Sequence, residues 1–121
     1  MKHVLLVFIG GGTGSVARYL ISKYLNSPSS SIPYGTFTAN IIGCFCIGIV
    51  FGLALKNNVM SQNTVALLAT GFCGGLTTFS TYAYENHSLL KSGDFINFML
   101  YAIGSFALGI IFVFAGMFIV K

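Results

Sequence analysis

Residues 71–82 read Gly71-Phe72-Cys73-Gly74-Gly75-Leu76-Thr77-Thr78-Phe79-Ser80-Thr81-Tyr82: three glycines, then four serine or threonine residues among aromatic rings. They occupy the middle of an apolar stretch, about residues 63–90, that is long for one membrane-crossing helix. A bilayer core takes roughly 20 apolar residues. Within it every backbone N–H and C=O needs a partner in protein, water or a cation. Gly74-Gly75 ahead of Thr77-Thr78 predicts a helix that stops and restarts, releasing carbonyls of the kind that coordinate small cations in discontinuous helices. A packing kink is the plainer alternative.

The rest of the chain supports a membrane setting. Of its 121 residues 55 % are hydrophobic and 7 % charged, with a mean hydropathy of +0.87. A soluble domain carries about a quarter charged residues, so this composition could not give a globule a polar surface. Between Lys23 and Lys56 lie 32 uncharged residues, between Lys56 and Glu85 another 28, and between Asp94 and Lys121 another 26. The expected fold class is therefore all-α: one transmembrane domain, residues 1–121, with spans at about 4–25, 34–55, 63–90 and 95–120. The third is broken near its middle, and the even count puts both termini on one side. Asn26 to Pro33, holding both prolines, and Lys56-Asn57-Asn58 read as connectors. Small-xxx-small pairs at Gly10/Gly14, Gly48/Gly52, Gly71/Gly75 and Ser105/Gly109 point to close helix contacts, in a tight bundle or a dimer.

Several function classes fall away. The formal charge of +4 comes from six scattered Lys and Arg residues with no basic stripe, so no nucleic-acid partner is expected. Lys2 and its apolar run open like a signal peptide, but no small-residue cleavage site follows, so none is expected. Gly12-Thr13-Gly14-Ser15-Val16-Ala17 imitates a dinucleotide-binding turn. That turn needs an acid about 20 residues on, and the first acid here is Glu85. Cys44, Cys46 and Cys73 form no C-x-x-C pair and read as packing residues. The only acids, Glu85 and Asp94, lie near the predicted ends of spans. With no carboxylate pair and no nucleophile–base set, the chain is not expected to be an enzyme.

Polar groups inside a membrane are costly and usually face a partner or a pore. Arg18, in the last third of the first span, either snorkels to the interface or acts as a vestibule charge attracting an anion. Asn40, one turn beyond Thr36 on the same face, is either a helix bridge or a pore donor. Phe79 and Tyr82, three apart, share a face with the hydroxyls of Ser80 and Thr81 beside them. Tyr101 and Ser105, four apart on the last span, supply a second polar face.

Three motifs carry a resemblance: Gly11-Gly12-x-Gly14-x-x-x-Arg18-Tyr19, Gly35-Thr36-Phe37-x-x-Asn40-x-x-Gly43, and the long run from Gly71 through Thr77-Thr78-Phe79-Ser80-Thr81-Tyr82 to Glu85. Together, over nearly the whole chain, they resemble the bacterial fluoride channel family of the CrcB or Fluc type. The resemblance implies a four-helix subunit that dimerises in opposite orientation, with an identical chain or a paired relative. It also implies two narrow fluoride pathways and passive fluoride export across the bacterial plasma membrane, giving fluoride resistance. A structural Na⁺ at the dimer interface would be held by the backbone carbonyls of Gly74 and Thr77. Asn40 would donate to fluoride, and Phe79 would offer an aromatic edge. Tyr82 departs from the family's usual second Phe.

Fluoride is small and tightly hydrated, so a pore must replace its water without holding it too firmly to release. Amide and hydroxyl donors such as Asn40, Ser80 and Thr81, with positive ring edges, meet both demands. A small four-helix proton-coupled multidrug antiporter would need an acid in the first span, which this chain lacks. A non-transporting membrane scaffold would leave the hydroxyl cluster unexplained.

Overall fold

A computed structural model describes residues 1–56 and 60–121, so the connector expected at Asn57 and Asn58 lies outside the described residues. Helix α1 covers Lys2–Leu25 and α2 covers Tyr34–Ala54. The third span divides into α3, residues 62–76, and α4, Ser80–Lys91; α5 covers Phe95–Ile119. Four helical stretches, Lys2–Leu25, Tyr34–Ala54, Gln62–Lys91 and Phe95–Ile119, are long and apolar enough to cross a membrane. Their ends differ from the predicted spans by at most two residues. Large apolar side chains such as Phe8, Phe114 and Phe118 stay exposed on the outer faces, a surface that suits lipid and not water. The chain is a multi-pass membrane protein.

Local chemistry sets the helix ends. After α1, Asn26 turns extended (φ −74°, ψ 130°), and its side-chain Oδ1 accepts from the Gly35 N–H at 2.7 Å, tying the end of α1 to the start of α2. Ser61 caps α3 by accepting from the Thr64 N–H at 3.2 Å, and Asp94 caps α5 by accepting from the Asn97 N–H at 3.3 Å. Between α4 and α5 the chain reverses at Gly93, whose φ of +81° suits a residue without a side chain.

Two backbone-to-backbone seams organise the bundle. Along the first, α1 lies against α3: a methyl group at Gly14 would overlap the Phe72 carbonyl, and one at Gly75 would overlap that of Gly11. Along the second, α2 lies against α5, where a methyl group at Gly48 or Gly116 would strike the facing backbone. Phe45 and Phe112 pack edge-on beside this seam, with ring centroids 6.2 Å apart.

The third span breaks within the run from Gly74 to Thr78, as expected, and adds one feature that the sequence did not announce. Ala66–Cys73 is π-helical, a wider coil than the α-helix on either side of it. Within that run the break falls at the threonines. Gly74 and Gly75 remain helical; Thr77 turns extended (φ −90°, ψ 155°) and α4 restarts at Ser80. Gly75 serves the contact with α1 instead.

Candidate functional site

In an uninterrupted helix Thr78 N–H would donate to the Gly74 carbonyl and Phe79 N–H to that of Gly75. At the break, side chains from two other helices take over. Asn40 on α2 accepts from Thr78 N–H through Oδ1 at 2.8 Å, and its Nδ2 donates to the Thr78 carbonyl at 3.2 Å. Arg18 on α1 donates from Nε to the Gly75 carbonyl at 3.0 Å. Thr77 ends the first half by donating both its N–H and its hydroxyl to the Cys73 carbonyl, at 3.0 and 2.9 Å. The second half begins with the Thr78 hydroxyl accepting from Thr81 N–H at 3.2 Å. The diversion of Thr78 N–H leaves the Gly74 carbonyl without its helical donor, and the extended turn takes the Thr77 carbonyl out of the helix.

A groove of about 420 Å³ runs beside this break. It gathers Asn40, Gly74, Thr77, Phe79, Tyr82 and Ser105, on walls that include Ile47, Phe106, Ile110 and Val113. Among the described residues no charged side chain lines it. The Ser105 hydroxyl is buried and has no hydrogen-bond partner among the described residues. An Asn amide carries two N–H groups, and Thr78 uses one of Asn40's. The Phe79 and Tyr82 rings stand 5.8 Å apart and tilted by 47°, although Phe79 precedes the helix instead of sharing its face.

Other candidate residues lie elsewhere. Ser80 is exposed, and neither it nor Thr81 lines the groove. Tyr101 is buried, with its hydroxyl donating to Glu85 Oε1 at 2.7 Å. Thr36 Oγ1 donates to Glu85 Oε2 at the same distance. Glu85 therefore joins α2, α4 and α5 through two hydroxyls, a role that its reading as a span-end acid missed. The available signal was Thr36, on the face of α2 that carries Asn40: a carboxylate entering an apolar bundle needs donors. Glu85 also borders a polar cavity of about 360 Å³ together with Asn26, Ser88, Ser92 and Asp94. Arg18 is half-buried and turns its Nε to the Gly75 carbonyl.

A family model described as "CrcB-like protein, Camphor Resistance (CrcB)" matches residues 5–117, which take in the break, the groove and the Glu85 cluster. The chain belongs to the CrcB family. Curated relatives match end to end. One from Gloeothece citriformis is 48 % identical over 122 residues, covering 100 % of this chain and 98 % of the relative. One from Phocaeicola vulgatus is 46 % identical over 118 residues, covering 96 % of each. A third, from Prosthecochloris aestuarii, is 46 % identical over 114 residues, covering 94 % of this chain and 89 % of the relative. All three are named fluoride-specific ion channel FluC.

Within this CrcB chain, Tyr82 has a local explanation. Its hydroxyl donates to the Ala102 carbonyl at 2.6 Å, so the polar group is satisfied by the backbone of α5. The Tyr101 ring, 5.2 Å away, supports it from behind. What Tyr82 offers the groove is its ring.

Proposed function

We propose that this CrcB chain is a fluoride-selective channel that lets fluoride leave the cell passively through the bacterial plasma membrane, and so protects against fluoride. The observation that carries the reading is a groove that brings Ser105, whose buried hydroxyl has no hydrogen-bond partner among the described residues, together with the Asn40 amide and two aromatic rings, and with no charged side chain among its described lining residues. Neutral donors can replace the water of a small, strongly hydrated anion, while a lysine or arginine among them would bind too firmly for release. The edges of Phe79 and Tyr82 present the positive end of the ring quadrupole. Asn40, Phe79, Tyr82 and Ser105 are assigned to the fluoride path. Tyr101, whose hydroxyl is spent on Glu85, supports the Tyr82 ring.

The working unit in this reading is an antiparallel dimer of identical chains. Phe79 is 78 % exposed in the single chain, as a ring that meets a second subunit would be. A structural Na⁺ fits the chemistry of the break: the Gly74 carbonyl has lost its helical donor to Asn40, and the Thr77 carbonyl follows an extended turn. These two oxygens would hold the ion, whose charge would neutralise the carbonyl dipoles and stabilise the dimer centre.

Fluoride efflux from liposomes carrying wild-type or Ser105→Ala protein tests the assignment. Because the hydroxyl has no partner to lose, the variant should fold and melt like wild type yet pass fluoride more slowly. Equal flux would remove Ser105 and the groove from the path.

A further inference from the structure

We infer that Arg18 is a positioning residue: its Nε holds the Gly75 carbonyl that the break leaves without a helical donor, and its charge is not used to attract anions. The inference rests on the channel reading above and deepens it. The helix ends at Leu76, so Phe79 N–H no longer reaches Gly75. The Gly75 carbonyl lies against α1, because Gly11 and Gly14 bring the two backbones into contact. Arg18 is one turn beyond Gly14, on the same face, and reaches that carbonyl at 3.0 Å. In a bilayer a carbonyl without a donor is costly, and a donor that carries charge makes the stronger bond. Arg18 does not line the groove, so it does not meet an ion there. Asn40 holds Thr78 on the far side of the break. With Arg18 on the near side, the break around Gly74 and Thr77 is held from α1 and α2 as well as by the helix's own groups.

Three substitutions separate positioning from attraction. Glutamine carries an N–H-bearing nitrogen on Cδ, at the same place along the side chain as arginine Nε, but no charge. Lysine keeps the charge and places carbon there, with its nitrogen one bond further out. Methionine keeps the length and lacks both. Fluoride efflux is measured from liposomes holding equal amounts of wild type, Arg18→Gln, Arg18→Lys or Arg18→Met, at low salt and near 1 M salt, with thermal unfolding of each in detergent.

Positioning predicts that Arg18→Gln retains most of the flux, while Arg18→Lys and Arg18→Met lose about tenfold, the scale set by an unmet buried carbonyl. The loss should be the same at both salt concentrations, because a buried hydrogen bond is not screened. Melting temperatures should follow the same order, Gln above Lys and Met. Attraction predicts the reverse: Arg18→Lys conducts like wild type, Arg18→Gln falls with Arg18→Met, and the differences shrink near 1 M salt, where the screening length is about 3 Å. Glutamine no better than methionine, or lysine equal to wild type, overturns the inference. If wild type itself carries no fluoride, the channel reading fails, and the order of melting temperatures still decides the role of Arg18.

Discussion

Asn40 does two jobs with one amide. Its oxygen and one N–H close the gap at Thr78, which leaves one N–H for the groove. The sequence left a helix bridge and a pore donor as alternatives; the geometry shows the bridge, and in the proposed fluoride path the remaining N–H would be the donor. Asn40→Asp keeps an acceptor for Thr78 N–H but sets a carboxylate where an anion is to pass. Two unit charges about 4 Å apart at an effective dielectric near 20 repel by roughly 4 kcal/mol, so fluoride flux should fall on the order of a thousandfold. Flux is compared only for protein that stays dimeric by size-exclusion chromatography, so that loss of the bridge is not mistaken for loss of the path. Tyr82→Phe belongs at the same scale. It removes the bond to the Ala102 carbonyl, so thermal or denaturant unfolding should report a loss of about 1 kcal/mol while flux is kept. A large loss of flux would show that the hydroxyl, and not the ring, matters. Glu85 marks the limit of reading single residues: its two hydroxyl donors come from 49 and 16 positions away, and the one signal, Thr36 on the Asn40 face of α2, points to a partner only once the helices are placed side by side.

The helices themselves were legible, because a bilayer demands long apolar runs in which charges are rare. What escaped was the detail of the third span. A π-helix over Ala66–Cys73 depends on how that segment meets α1, a contact that does not enter hydropathy or propensity. The break was foreseen in the run from Gly74 to Thr78, and it falls at the threonine end of that run. Glycines weaken a helix, yet Gly75 stays helical where α1 makes its close approach, while Thr78 leaves the helix with both its backbone groups met by the distant Asn40 amide. The seam gives its own prediction. Gly14→Ala drives a methyl group into the Phe72 carbonyl and toward Leu76 N. Overpacking of this kind typically costs 1–3 kcal/mol, and since backbone rather than a movable side chain stands in the way, the upper end is expected. Thermal unfolding in detergent measures it; an unchanged midpoint would mean that the seam opens freely.

At the scale of the whole molecule the charges are nearly balanced. Lys2, Lys56 and Lys121 lie toward one end of the bundle; Lys23 and Lys91 lie toward the other, with Arg18 drawn into the interior. Orientation follows the difference in Lys and Arg between the two sides, and so small a difference predicts that the chain inserts both ways round, which reporter fusions at the C-terminus would check by signalling from both compartments. A single gene product could then supply both halves of an antiparallel dimer. Fluoride efflux from liposomes that hold only this purified chain decides whether the protein conducts the ion by itself. A fluoride channel gives rapid efflux of fluoride, driven by its own gradient, and retention of chloride under the same conditions. Fluoride retained alongside chloride, or both released alike, would contradict it.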